Sequence, residues 1–88
     1  MRVPITVPEF DIGDEPIRLG EWVVSAGEAV FAGECLTEYI LPGLAVDALA
    51  PASGVLVELL RQPEQRVYAG EVVGWIEVHS DDPGETNP

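Results

Sequence analysis

Apolar and polar residues alternate over short stretches of the chain, and no stretch keeps a 3.6-residue apolar period. Alternation with a period of two is typical of strands that bury one face, and the glycines and prolines between the stretches mark turns. The pattern predicts strands over residues 1–7, 17–24, 35–41, 44–50, 55–60 and 72–78. Many short strands with this punctuation indicate an all-β sandwich or flattened barrel.

One segment occurs twice in the chain. Residues 30–34 (Val-Phe-Ala-Gly-Glu) recur as residues 67–71 (Val-Tyr-Ala-Gly-Glu), and the same offset places Leu36 on Val73. Two copies of one strand–turn–strand unit predict two halves related by a pseudo-twofold axis. Each half alone would expose its apolar face, so we expect the halves to bury these faces against one another.

The Pro42-Gly43 pair lies between two apolar runs and predicts a β-hairpin. Proline presets φ near about −65°, and glycine accepts the positive φ at the third position of a type II turn. The tip is unusually apolar, because Ile40, Leu41 and Leu44 flank the turn where polar residues are normally found. We interpret these five residues as a contact surface. The alternative is that the apolar side chains fold back and stabilise the barrel.

The charge of the chain is strongly negative: 16 Asp and Glu residues stand against 4 Arg residues and no Lys, for a net charge of −12. This balance disfavours nucleic acid and anionic membranes as partners, and indicates either a domain steered towards basic protein surfaces or simply a soluble one. No apolar stretch is long enough to span a membrane, and the first residues lack the apolar core of a signal peptide. We expect a cytoplasmic protein with one domain over residues 1–79 and a disordered acidic tail over residues 80–88.

Residues that could carry catalysis or bind a metal are few. The one cysteine, Cys35, cannot form an intrachain disulfide and lies in an apolar run, which predicts a buried, inert thiol. The one histidine, His79, borders the predicted tail, and the sequence holds neither a Cys/His cluster nor a phosphate loop that opens a helix. We therefore expect no enzyme activity and no metal site. Four aromatic residues are interpreted as structural: Trp22, Phe31, Tyr39 and Tyr68.

Collinear motifs over residues 5–77 resemble the lipoyl/biotinyl carrier domains, in particular the lipoyl domains of 2-oxo acid dehydrogenase acyltransferases. Residues 7–9 are similar to that family's N-terminal Val-Pro-Glu segment. Residues 20–36 follow its Gly-x-Trp-x-Val-x-x-Gly-x-x-Val-x-x-Gly-x-x-Leu run without a gap. Residues 50–54 match the Ala-Pro-x-x-Gly segment after the attachment hairpin, and residues 70–76 match the closing repeat.

The resemblance implies a flattened β-barrel of two four-stranded antiparallel sheets with pseudo-twofold symmetry. It also implies an attachment lysine at the hairpin tip, eight residues before the proline of the Ala-Pro segment, and in this chain Gly43 stands there. Pro42 takes the position of the family's Asp. Lipoylation and biotinylation form an amide with a side-chain amine, which glycine lacks, and an arginine guanidinium is a poor nucleophile. This departure predicts that no prosthetic group is attached at the hairpin.

Two functions are consistent with these residues. The first is a non-carrier lipoyl-like domain that acts as a protein-interaction module through its apolar tip. The second is an accessory or degenerate component of a 2-oxo acid dehydrogenase or biotin-dependent carboxylase complex, which docks the partner enzyme without a prosthetic group. The expected partner is a protein, either a second copy paired through the hairpin tip or a basic surface of a dehydrogenase or ligase. No cofactor is expected.

Overall fold

The computed structural model describes residues 1–78 and contains eight β-strands. They are β1 (Arg2–Thr6), β2 (Ile17–Leu19), β3 (Ala29–Val30), β4 (Cys35–Leu41), β5 (Leu44–Leu49), β6 (Gly54–Leu59), β7 (Arg66–Val67) and β8 (Val72–Glu77). Residues 1–78 include no helix that could span a membrane. His79 and the predicted tail over residues 80–88 lie outside the described residues.

The strands form two four-stranded antiparallel sheets, with orders β1-β8-β6-β3 and β5-β4-β2-β7. Exchanging strands β1–β4 with β5–β8 converts one order into the other, because β1 then takes the place of β5, β8 of β4, β6 of β2 and β3 of β7. The all-β prediction and the two four-stranded sheets are confirmed. The order of the strands also shows the pseudo-twofold relation that the internal repeat predicts.

The turns that lead into β4 and β8 are built from the same hydrogen bonds. The backbone N–H of Glu34 donates to the carbonyl oxygen of Phe31 at 2.9 Å, and the Glu34 carboxylate accepts from the Phe31 N–H at 2.9 Å. Glu71 makes the same two bonds with Tyr68, both at 2.9 Å. Each glutamate therefore closes its own turn in both directions, which explains why the repeated segment ends in Glu.

Inward-facing side chains of both sheets meet in one core. Its buried apolar residues are Ile5, Val7, Ile17, Leu19, Val30, Leu36, Tyr39, Leu41, Ala48, Ala50, Leu56, Val67, Val73 and Ile76. Thr37 is fully buried among them, and its hydroxyl donates to the carbonyl oxygen of Glu21 at 2.8 Å. A buried polar group costs little when it is hydrogen-bonded in this way.

The predicted strand over residues 17–24 is too long, because β2 ends at Leu19. The backbone N–H of Gly20 donates to the carbonyl oxygen of Glu38 at 2.8 Å, and that of Val23 donates to Leu36 at 2.9 Å. Between these two hydrogen bonds the chain advances by three residues from Gly20 to Val23, whereas β4 advances by only two. An extra residue of this kind disrupts the ladder and bends the strand.

The four aromatic residues interpreted as structural divide into two groups. Tyr39 lies in the core, and Trp22 is half-buried beyond the end of β2, where its indole N–H donates to the carbonyl oxygen of Arg61 at 2.9 Å. Phe31 and Tyr68 are 75% and 58% exposed, so the structural interpretation of these two residues is wrong. They follow β3 and β7, two-residue strands that are too short to show an alternating pattern in the sequence.

Candidate functional site

The hairpin between β4 and β5 has the two-residue loop that the sequence predicts. Leu41 pairs with Leu44 across the loop, and Ile40 pairs with Ala45 one step further from the tip. Gly43 has a φ of 73°, which is the left-handed conformation that the third position of a type II turn requires. The Pro-Gly pair therefore fixes both the length of the loop and the register of the hairpin.

The five residues predicted as a contact surface do not all face solvent. Leu41 points into the core and is 5% exposed, so it cannot contact a partner, and for this residue the alternative interpretation holds. Ile40 and Leu44 are 39% and 59% exposed, and Pro42 and Gly43 are exposed at the turn. The exposed apolar surface of the tip is therefore Ile40, Pro42 and Leu44, which we call the tip surface.

The hairpin is supported from inside by the long loop between β1 and β2. The Phe10 ring meets the Tyr39 ring edge to face, with centroids 5.8 Å apart and an interplanar angle of 61°. Such aromatic pairs stabilise by about 0.5–1.5 kcal/mol beyond their burial. Burial also raises the pKa of the Tyr39 hydroxyl above its usual range. Tyr39 therefore anchors the middle of β4 to the core and leaves the tip to project beyond it.

Two arginines that the sequence analysis did not single out lie beside the tip. Arg18 pairs with Ile40 on one side and with Arg66 on the other. Directly opposed residues face the same side of a sheet, so Ala45, Ile40, Arg18 and Arg66 form one row across β5, β4, β2 and β7. All four are exposed, and we call this set the outer row. The sequence does not show this register directly, because β7 has only two residues. The internal repeat is its only signal in the sequence.

Cys35 lies at the other end of β4 and is half-buried rather than fully buried. Its Sγ is 3.4 Å from the carbonyl oxygen of Thr37. Burial raises the pKa of the Cys35 thiol above its usual range, and the charges of Asp47 and Glu38 raise it further, while the contact with the Thr37 carbonyl lowers it. The thiolate is the reactive form, so these neighbours favour the inert state that the sequence predicts.

The tip does not offer the chemistry of an attachment site. The chain contains no lysine, and an atom in the Cβ position of Gly43 would meet nothing within 4 Å. The space for a side chain is therefore present, and the amine is not. Arg18, which pairs with Ile40 on the neighbouring strand, carries a guanidinium, which is a poor nucleophile for forming the amide.

No family model matches the chain. Over 72 residues, or 82% of its length, the chain is 33% identical to the dihydrolipoyllysine-residue succinyltransferase component of the 2-oxoglutarate dehydrogenase complex of Bacillus subtilis. The fold matches the solution structure of the lipoyl domain of the 2-oxoglutarate dehydrogenase complex from Azotobacter vinelandii with a TM-score of 0.72 and 25% identity, covering 86% of this chain and 96% of that one. The chain therefore matches the lipoyl/biotinyl carrier domains in sequence and in fold.

This lipoyl/biotinyl-type domain also resembles a carboxylase. It is 33% identical over 80 residues, or 91% of its length, to the mitochondrial acetyl-CoA carboxylase of Saccharomyces cerevisiae. The chain spans 3% of that carboxylase and 17% of the succinyltransferase component, so each likeness concerns a small part of a longer protein. The family resemblance stated from the sequence motifs is confirmed.

Proposed function

We propose that this domain has kept the fold of the lipoyl/biotinyl carriers, carries no prosthetic group and acts as a protein-interaction module through its hairpin. The observation that carries the proposal is Gly43 at the exposed tip of the β4–β5 hairpin, in a chain without lysine. The domain itself performs no catalysis in this proposal. Its role is to present a surface.

The shape of the hairpin supports a domain that lacks the attachment lysine but has kept the fold. The turn is a regular two-residue connection with Leu41 paired to Leu44, and the neighbouring Tyr39 and Leu41 are buried in the core. A hairpin without any remaining function would be under no constraint to keep this register. The retained register keeps the tip surface in a fixed position relative to the barrel, as a binding surface requires.

Ligation assays test the carrier half of the proposal. The full chain is incubated with lipoate–protein ligase, lipoate and ATP, and separately with biotin–protein ligase, biotin and ATP, and its intact mass is measured. We expect no change in mass in either reaction. A gain of one lipoyl or biotinyl group would overturn the proposal.

A grafted lysine supplies the matched control for these assays. The Pro42→Asp/Gly43→Lys variant restores the residues that the family has at the turn, and the space around Gly43 is open. A non-glycine residue at positive φ costs about 1–2 kcal/mol, which a folded barrel tolerates. We expect this variant to gain mass with lipoate–protein ligase. Modification of the variant alone shows that the missing amine, and not a damaged barrel, excludes the prosthetic group.

The interaction half of the proposal rests on the tip surface. Exposed apolar side chains that are grouped together mark contact sites more often than single ones do. Self-association, measured by multi-angle light scattering, and binding to a candidate partner protein are compared for the wild type and for Ile40→Ser/Leu44→Thr. The control is Val23→Ser/Leu60→Ser, because Val23 and Leu60 are 66% and 40% exposed and lie outside the hairpin. Self-association or binding that survives the tip substitutions would contradict the role of the tip.

The relatives favour a second, narrower candidate. One is a component of the 2-oxoglutarate dehydrogenase complex, which is consistent with an accessory domain that docks an enzyme of such a complex without a prosthetic group. The discriminating measurement is analytical ultracentrifugation of the full chain mixed with each enzyme of a 2-oxo acid dehydrogenase complex or a carboxylase. A complex that forms with unmodified chain supports this candidate. Binding that requires the grafted lysine and its lipoyl group contradicts it.

A further inference from the structure

The charge beside the tip surface is opposite to the charge of the whole domain. The chain carries a net charge of −12, yet the outer row places Arg18 next to Ile40 and Arg66 next to Arg18, with no carboxylate in the row. Residues 1–78 contain four arginines, and two of them form ion pairs: Arg2 with Glu58 and Glu77, and Arg61 with Glu71. Among these residues Arg18 and Arg66 make no ion pair, although acidic side chains outnumber basic ones.

The register places Arg18 and Arg66 directly opposite each other on neighbouring strands. The backbone N–H of Leu19 donates to the carbonyl oxygen of Gln65 at 3.0 Å, so the adjacent Arg18–Arg66 pair is the pair without backbone hydrogen bonds between its members. Side chains approach most closely in that kind of pair. Like charges directly opposite each other destabilise a sheet. An anion between the two guanidiniums would relieve this repulsion and form charge-assisted hydrogen bonds with both.

The surroundings indicate a partner that is apolar as well as anionic. Ile40 adjoins Arg18 in the outer row, and the guanidinium carbon of Arg66 lies 5.0 Å from the centre of the exposed Tyr68 ring. Stacking of this kind holds a guanidinium in place with its N–H groups directed outward. The outer row therefore offers an apolar end at Ala45 and Ile40 and a cationic end at Arg18 and Arg66.

The same face also has an acidic side, which limits how a partner can lie on it. In the next row Glu38 pairs directly with Asp47, and the loop residues Glu9, Asp14 and Glu15 line a pocket that Arg66 borders. A broad acidic surface would be repelled by these groups. A single carboxylate followed by an apolar residue fits, because it can meet the arginines while its apolar neighbour covers Ile40.

We propose that Arg18 and Arg66 form a docking site for a carboxylate side chain on an acidic, apolar segment of the partner protein, with Ile40 receiving the adjoining apolar residue. This inference rests on the proposed interaction function and names the chemistry of its partner. It differs from the expectation of a basic partner surface, which followed from the net charge. The local charge at the tip decides the contact, and the net charge acts over longer distances and is screened by salt.

Nuclear magnetic resonance of the 15N-labelled full chain tests the site with defined probes. The probe is the peptide acetyl-Leu-Glu-Leu-Glu-Leu-amide, and the matched peptide has Gln in place of both Glu residues. We expect the acidic peptide to shift the Nε–Hε signals of Arg18 and Arg66 and the backbone amide of Ile40. The Gln peptide should bind at least about tenfold more weakly, since it loses the charge-assisted hydrogen bonds to the arginines.

Single substitutions that each remove one positive charge provide the controls. Arg18→Gln and Arg66→Gln should each weaken the binding of the acidic peptide about tenfold, while Arg2→Gln, which removes the same charge from an arginine that is already ion-paired, should leave it unchanged. Equal weakening by all three variants would overturn the site in favour of net charge alone. Inorganic phosphate that reproduces the same shifts at the same concentration would also overturn it, since no peptide is then recognised.

The outcome separates this inference from the proposed function. A chain that becomes lipoylated contradicts the proposed function and does not alter the peptide shifts. A chain that stays unmodified but shows no shifts at Arg18, Arg66 and Ile40 contradicts only the docking site.

Discussion

Glu64 adopts the same left-handed backbone conformation as Gly27, its equivalent in the other half of the domain. Their φ values are 76° and 97°. The backbone N–H of Gly27 donates to the carbonyl oxygen of Leu56 at 2.7 Å, and the backbone N–H of Glu64 donates to the carbonyl oxygen of Leu19 at 2.8 Å. The pseudo-twofold symmetry therefore extends to single backbone hydrogen bonds, and it forces a non-glycine residue into a conformation that favours glycine.

Glu64→Gly should stabilise the domain by about 0.5–1 kcal/mol, because it removes the steric cost of a Cβ atom at positive φ, which exceeds the added entropy of the unfolded chain. Gly27→Ala should destabilise by about 1 kcal/mol for the same reason, since the space around Gly27 is open. Urea unfolding followed by tryptophan fluorescence measures both. Glu64→Gln keeps the Cβ atom and removes the charge, so a gain in stability with Gln equal to that with Gly would contradict the backbone explanation.

Gly54→Ala should destabilise the domain by about 2–4 kcal/mol, at the upper end of the effects of single substitutions. A Cβ atom at this position would overlap the carbonyl oxygen of Glu77, so β6 and β8 would have to separate. Gly43→Ala is the matched control, since it meets no atom within 4 Å and carries only the cost of positive φ. Thermal unfolding should show the larger loss for Gly54→Ala. Equal losses would mean that the close approach of β6 and β8 is not maintained in solution.

Leu41 and Leu44 pair across the turn but should respond differently to truncation. Leu41→Ala removes a buried side chain and should cost about 2–4 kcal/mol of unfolding free energy. Leu44→Ala removes a side chain that is 59% exposed and should change stability by no more than about 0.5 kcal/mol. Chemical denaturation of the two variants compares these costs. A large loss of stability with Leu44→Ala would show that the tip folds back onto the barrel and is unavailable for binding.

Asp47→Asn should make Cys35 more reactive. The charge of Asp47 raises the pKa of the Cys35 thiol, so its removal lowers the pKa and increases the thiolate fraction at any pH below it. Alkylation by iodoacetamide at pH 8.5 should therefore be faster in the variant. Glu58→Gln, in the other sheet, removes an equal charge and should leave the rate unchanged. A rate that does not rise with Asp47→Asn would contradict the assignment of Asp47 as the neighbour that holds the thiol protonated.

The sequence predicts the fold well because its signals are local or repeated. Alternation places the long strands β4, β5, β6 and β8 close to their observed bounds, and the repeated segment predicts the symmetry. The Pro42-Gly43 turn is predicted correctly because its residues determine their own conformation. The sequence alone also shows that the attachment lysine of the carrier domains is absent.

The site is predicted less well because it depends on contacts between distant segments. Alternation cannot show that Leu41 points inward while Ile40 beside it points outward, since the parity of a strand leaves both assignments open. The register that sets Arg18 beside Arg66 passes through β7, which has two residues and no pattern of its own. The bulge after Leu19, which takes Trp22 out of the sheet, likewise depends on the hydrogen bonds of β4.

The mass of the chain made in cells with active lipoate and biotin ligases tests whether this domain is a carrier. The full 9.5 kDa chain and the Pro42→Asp/Gly43→Lys variant are expressed side by side with lipoate and biotin in the medium, and their intact masses are measured. We predict that the wild type appears only at its unmodified mass and that the variant gains a heavier, lipoylated form. A wild-type chain that carries a lipoyl or biotinyl group on any of residues 1–78 would contradict a domain that only binds partners.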